Sequence, residues 1–192
     1  MSNAEQILYP TGHHAVGKTE LCDYLVDQYG FEVVETGAMV RSLYAARQDR
    51  YNYLDLGQFI NQVEIDQPSF FDERLAEMID ALDKPEGRVI VNGMRTYENI
   101  ERSIDLSSNS THSIIWLEAQ LEALNQRYNL REGKNLTEGE FSKLLEFDLG
   151  LGLAEIKANA NFIIENNSSV ESLRLRADSV MRSLGLTALH SS

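Results

Sequence analysis

Residues Gly12-His13-His14-Ala15-Val16-Gly17-Lys18-Thr19 satisfy every fixed position of the pattern G-x-x-x-x-G-K-S/T. No other stretch constrains the fold as much. A run of backbone N–H groups can curl around an anion only where side chains leave room, which is why glycine stands at both ends. The curl must also be launched by a strand and continued by a helix whose positive end faces the same anion. Both flanks are present: Gln6-Ile7-Leu8-Tyr9 is a short apolar run, and Leu21, Cys22, Leu25, Val26 and Tyr29 recur at helical spacing. Lys18 is expected to reach β- and γ-phosphates as a point charge. The Thr19 hydroxyl is expected to ligate a Mg²⁺ that bridges them. His13 and His14 read as exposed loop histidines rather than metal ligands.

A chain of 192 residues suits one domain with a substantial core. Its 30 acidic and 17 basic side chains give a formal charge of −13, which argues against a protein that grips nucleic-acid backbone or anionic lipid. The expected partners are small-molecule nucleotides, with cations concentrated where phosphates sit. The single cysteine, Cys22, falls on the apolar face of the first helix. That excludes a disulfide framework, favours a reducing compartment and predicts a buried structural thiol. No apolar run approaches the roughly 18 residues of a membrane span, so the expected location is cytoplasmic.

Further along, Gly30 is a helix stop and Phe31-Glu32-Val33-Val34 a short second strand. Thr36 then caps a helix through Ala38, Met39, Val40, Leu43 and Tyr44 that carries Arg41 in its first turns. Residues 47–53 lack a period and are expected to be a loop. Leu56, Phe59, Ile60 and Val63, then Phe71, Leu75, Met78, Ile79 and Leu82, predict two more helices, with Pro68 suited to the first turn of the second. Asp83-Lys84-Pro85-Glu86-Gly87 is turn chemistry, and Val89-Ile90-Val91 suits a strand covered on both faces.

A short helix with Ile100 and Ile104, a strand over Ile114-Ile115-Trp116-Leu117 and a helix with Leu121, Leu124 and Tyr128 follow. The polar run Arg131-Glu132-Gly133-Lys134-Asn135 is expected to move. Thr137 with Glu140 makes a capping box ahead of Phe141, Leu144 and Leu145, and Gly150 and Gly152 break that pattern before a helical turn at Ile156. Phe162-Ile163-Ile164 is a fifth strand, and Ser168 with Glu171 caps a last helix that Gly185 stops. Short apolar strands alternating with helices predict an α/β fold: a parallel sheet flanked on both sides, with ligands at the carboxyl ends of the strands.

These residues resemble the P-loop nucleoside and nucleotide kinases, in their adenylate kinase-like and dephospho-coenzyme A kinase-like branches. The resemblance is carried by the phosphate loop, by Thr36-Gly37 with Arg41 after the second strand, by V-I-V-N-G-M-R from Val89 to Arg95, and by Ala160-Asn161-Phe162-Ile163-Ile164-Glu165-Asn166 before the last helix. It covers roughly residues 6–184. It implies a three-layer α/β/α sandwich with a five-stranded parallel sheet as one domain over residues 5–185, an acceptor-binding helical segment at about 37–82 and a lid at about 127–137. The chain departs from the family at Asn92 and Asn161, where aspartates are usual. Asn92 would act on Mg²⁺ through water without a carboxylate's charge, so activity is expected to be weak and to rise if an aspartate is restored there.

The implied activity is ATP-dependent phosphoryl transfer with Mg²⁺. Gly12 through Thr19 and Asn166 would hold ATP, Thr36, Gly37, Arg41 and Arg95 the acceptor, and Arg127 and Arg131 of the lid the transferring group. Each arginine has an alternative as a solvated ion-pair partner. Glu35 is either a general base or a solvated strand-end residue that meets Mg²⁺-bound water. The favoured acceptor is a nucleoside monophosphate. The alternatives are the hydroxyl of a nucleoside or coenzyme precursor, and a non-catalytic nucleotide-binding module.

Overall fold

Strand β1 (Gln6–Gly12) is buried along its whole length and forms the middle of a five-stranded sheet. The computed structural model describes residues 6–51, 54–82 and 86–189. The other strands are β2 (Glu32–Glu35), β3 (Arg88–Asn92), β4 (Thr111–Glu118) and β5 (Phe162–Glu165), in the order β2-β3-β1-β4-β5 with every pair parallel. Alternation along the strands divides the apolar side chains between two layers. Leu8, Ile90, Ile115 and Leu117 face one core with helices α1 (Lys18–Tyr29), α7 (Leu121–Glu132), α8 (Glu138–Asp148) and α10 (Val170–Ser183). Ile7, Tyr9, Val89, Val91 and Trp116 face the other, with α2 (Thr36–Ala46), α5 (Phe70–Asp80), α6 (Tyr97–Leu106) and α9 (Ala154–Ala158). The fold is therefore the expected α/β/α sandwich around a parallel sheet.

A small satellite core forms where α4 (Leu56–Asp66) meets the ends of α2 and α5, with Phe59, Val63 and Tyr51 at its centre. Here the structure corrects two expectations. The stretch 47–53, expected as a loop, contains a helical turn α3 (Gln48–Tyr51), because Tyr51 is buried edge-on against Phe59 and its hydroxyl donates to Asp66 at 3.0 Å. Such tertiary contacts leave no period in the sequence. Pro68 lies in the turn before Ser69, the N-cap of α5, rather than in its first turn. The turn expected at 83–85 lies outside the described residues.

Other differences are smaller. The segment around Gly150 and Gly152 is a π-helical stretch, Leu149–Leu153, with only Gly152 leaving helical geometry. It carries the chain from the layer of Phe141 to that of Leu153 and Ile156. The cap of α10 is Ser169, one residue beyond Ser168; it accepts from the Ser172 N–H. Val26 reaches the surface although Cys22, Leu25 and Tyr29 of the same helix are buried. The capping box of Thr137 and Glu140 forms as expected. No helix among the described residues is long and apolar enough to cross a membrane.

Asn161, where the resemblance would place an aspartate, has a structural job. Its Oδ1 accepts from the Ile114 N–H at 2.7 Å while its own N–H donates to the Ile114 carbonyl at 3.0 Å, fixing where β5 joins β4. Asn161→Ala would leave the Ile114 N–H without its acceptor, so it should cost about 1–3 kcal/mol in urea unfolding. Asn161→Asp keeps the acceptor and should be close to neutral.

Candidate functional site

The phosphate loop leaves the end of β1 in a conformation that the neighbouring strands impose. Gly12 has φ +141°, and a Cβ there would sit 2.4 Å from the Leu117 carbonyl oxygen at the end of β4. Gly17 has φ +100°, and its Cβ would meet Asn166 Nδ2 at 2.5 Å. Between them Ala15 is held left-handed at φ +59°, a strain of order 1 kcal/mol for a residue with a side chain. Asn166, just past β5, holds the loop in place: its Nδ2 donates to the Val16 carbonyl at 2.9 Å and its N–H to the Glu118 carbonyl at 2.7 Å. Arg127 on α7 in turn donates to the Asn166 carbonyl at 2.9 Å.

Lys18 opens α1, and its Nζ donates at 2.8 Å to both the Gly12 and His13 carbonyls, so the ammonium is held within the curl. Thr19 is exposed on the first turn of that helix. A concave backbone run with no room for Cβ atoms, a lysine inside it and a helix N-terminus behind it fit an anion of phosphate type. His13 and His14 are half-buried rather than exposed. Their rings meet Trp116 edge-on at 5.6 Å and Tyr128 at 6.1 Å, contacts that no local pattern reveals.

The ends of β2 and β3 lie beside the loop, with Glu35 and Asn92 paired in register. Asn92 Nδ2 donates to Glu35 Oε1 at 2.8 Å, and the Thr36 hydroxyl donates to the Asn92 carbonyl at 3.0 Å. Asn92 Oδ1 is buried and, among the described residues, has no hydrogen-bond partner. The carboxylate missing at 92 thus has a neighbour in Glu35, one strand across. Among the described residues no group of three or more histidine, cysteine or acidic side chains is placed to hold a metal. The donors that remain, Thr19 with Glu35 and Asn92, suit a Mg²⁺ held mainly by phosphates and water. Cys22 lies behind this site, and burial, with the Glu35 charge adding to it, pushes its thiol up to about 12. It is an inert core residue, as its place on the helix suggested.

A cavity of about 440 Å³ opens between the ends of β2 and β3 and the helices α2, α4, α5 and α6. Thr36, Gly37, Arg41 and Arg95 all line it, against an apolar wall that includes Ile60 and Phe71. Arg102 and Asp72, which the sequence reading did not single out, also line it, joined by an ion pair at 3.3 Å. The available signal was slight: Glu98 and Arg102 are four residues apart on α6 and do pair. Glu35 is absent from that lining and belongs to a separate groove along the outer edge of β2.

Arg127 and Arg131 stand in different surroundings. Arg127 is fixed to the turn after β5, whereas Arg131 is exposed, pairs with Glu132 at 2.8 Å and lies 5.8 Å from the Tyr128 ring centre. The segment expected to move is a short turn clasped by Asn129. That side chain donates to the Leu136 carbonyl and accepts from the Leu136 N–H, both at 2.9 Å.

A family model described as AAA domain matches residues 11–140. Among solved structures, the chain resembles the protein TT1252 from Thermus thermophilus, at 18% identity over 95% of this chain and 99% of that one, with a TM-score of 0.66. It also resembles a shikimate kinase from Bacteroides thetaiotaomicron, at 16% identity, 95% and 99% coverage and a TM-score of 0.57. A gluconokinase from Sinorhizobium meliloti 1021 matches at 10% identity, 94% and 93% coverage and a TM-score of 0.61. No curated protein matches the chain in sequence. The chain belongs to the AAA domain family, and its fold is that of the P-loop kinases.

Gly17→Ala tests how tightly the loop is specified. The added methyl must displace Asn166 and strain the backbone at φ +100°. Calorimetry should show ATP affinity falling at least tenfold while circular dichroism stays that of the parent.

Proposed function

Starting from that family and that fold, we propose that the chain transfers a phosphoryl group from ATP to a nucleoside monophosphate or a closely related nucleotide. One observation carries the reading: Arg41 and Arg95 line the cavity beside the loop, and Glu35 does not. A phosphate acceptor is ionised near neutral pH and needs cations more than it needs a base. A cavity of about 440 Å³ is also of the size that small-molecule sites use.

In this reading the loop N–H groups and Lys18 take the donor phosphates, with Lys18 exchanging its carbonyl partners for phosphate oxygens. Bound Mg²⁺ would neutralise charge on the β- and γ-phosphates. Thr19 would ligate it, and Glu35 and Asn92 would hold its waters. Arg41 and Arg95 clamp the acceptor phosphate in line, which is most of what phosphoryl transfer asks of a protein. Arg127, tied to the Asn166 turn, positions the donor, and Arg131 brings charge to the transferring group.

A hydroxyl acceptor is the second reading. It is supported by the names of two structural neighbours, a shikimate kinase and a gluconokinase, and by the hydrogen bond that holds Glu35 at the strand end. Steady-state kinetics separate the two. With a monophosphate acceptor, Arg41→Ala and Arg95→Ala should raise KM at least tenfold and Glu35→Gln should keep most of kcat. A loss of roughly 10²–10⁴ in kcat for Glu35→Gln, with near-normal KM in the arginine variants, would assign a hydroxyl acceptor.

From the contact between Asn92 and Glu35 we infer the opposite sign of effect for an aspartate at 92. Asn92→Asp would put two carboxylates in contact, and repulsion would hold one of them protonated well above its unfolded pKa. A raised carboxyl pKa means stability lost as pH rises. The variant should therefore melt below the parent at pH 7.5 and approach it toward pH 4. Its turnover should fall, and added Mg²⁺ should partly restore it.

A further inference from the structure

Four side chains, of which His14 and Arg131 already have a place in the proposed donor site, converge around one ring beside the phosphate loop. The His14 ring meets the ring of Tyr128 at 6.1 Å and 65°. Two cations lie round the same tyrosine: Arg131, 5.8 Å from the ring centre, and Lys134, 5.4 Å from it and within 3.3 Å of the hydroxyl. Tyr128 itself is 9% exposed and is steadied from behind by Phe141, with ring centres 5.2 Å apart. One aromatic ring therefore joins the phosphate loop, the end of α7 and the turn that follows it.

Cations gathered this closely repel one another until an anion arrives, and an imidazole among them gains a proton more readily once it does. The charged groups in contact with this ring or loop include Lys18, Arg131 on α7 and Lys134 on the turn; α7 also carries Arg127, turned to the Asn166 carbonyl, and Glu122, paired with Gln126, and α8 carries Glu140, held in its capping box with Thr137. Glu132 is tied to Arg131. We infer that His14, Arg131 and Lys134, arranged on Tyr128, form a proton-dependent cationic subsite for the terminal phosphate of the donor nucleotide. His14 takes up a proton as that phosphate binds, and Tyr128 is the positioning residue that holds loop and turn cations together. The inference rests on the proposed binding of nucleotide phosphate at the loop.

The test is calorimetry of the whole chain with the β,γ-imido analogue of ATP, in buffers of different ionisation enthalpy at pH 6, 7 and 8. Binding should be accompanied by uptake of up to one proton. Affinity should strengthen about five- to tenfold from pH 8 to pH 6 beyond the ligand's own ionisation. His14→Gln should abolish both effects while still binding. Because a loop variant can misfold, the His14 ring protons of the unmodified chain are also followed by NMR, and their titration midpoint should rise when the analogue is added. Tight binding with no proton uptake and an unmoved midpoint would overturn the inference and leave the phosphate site standing. Absence of any binding would overturn both.

Discussion

The hydrogen bond from the Asn166 side chain to the Val16 carbonyl, with the approach of Gly12 to the Leu117 carbonyl, holds a backbone curl that would not persist alone. It needs three residues with positive φ within six positions, one of them an alanine. The surroundings must over-determine such a conformation for it to survive. Here the strand order does so. With β1 in the middle of the sheet, the loop emerges between the ends of β3 and β4, and β5 delivers Asn166 from beyond. The two cores on either face of the sheet serve this geometry by fixing where the strands end.

The same edge concentrates positive charge in a chain of net charge −13. Lys18, Arg41, Arg95, Arg127, Arg131 and Lys134 belong to five different elements or turns, yet they arrive around one loop and one cavity. Several are already held by protein groups, as Lys18 is by two carbonyls. Cations fixed in advance need little reorganisation when phosphate charge develops, the main source of catalytic power in phosphoryl transfer. The surrounding acidic surface makes the edge stand out to an anionic ligand.

What the sequence made legible and what it hid divide along a physical line. Features set within a few residues were readable: the glycine spacing of the loop, the helical period of Leu21, Cys22 and Leu25, and the capping box at Thr137. The gathering of Thr36, Gly37, Arg41 and Arg95 on one cavity was anticipated by the resemblance to the P-loop kinases, and all four lie beyond strand ends of a parallel sheet. Long-range contacts were not. The pairing of Glu35 with Asn92 depends on strand register, the helical turn at Tyr51 on burial against Phe59, and the edge contacts of His13 and His14 on where β4 and α7 lie. Asn92 read alone looked like a lost charge, whereas in the fold its amide donates to the Glu35 carboxylate one strand across.

The most direct test is transfer of label from γ-labelled ATP, with Mg²⁺, across a panel of nucleoside monophosphates, nucleosides and dephospho-coenzyme A, using Lys18→Ala as the control. The account predicts a labelled nucleoside diphosphate from at least one monophosphate, and none from the Lys18→Ala protein. Label appearing only on a hydroxyl acceptor, or tight ATP binding with no labelled product from any member of the panel, would contradict it.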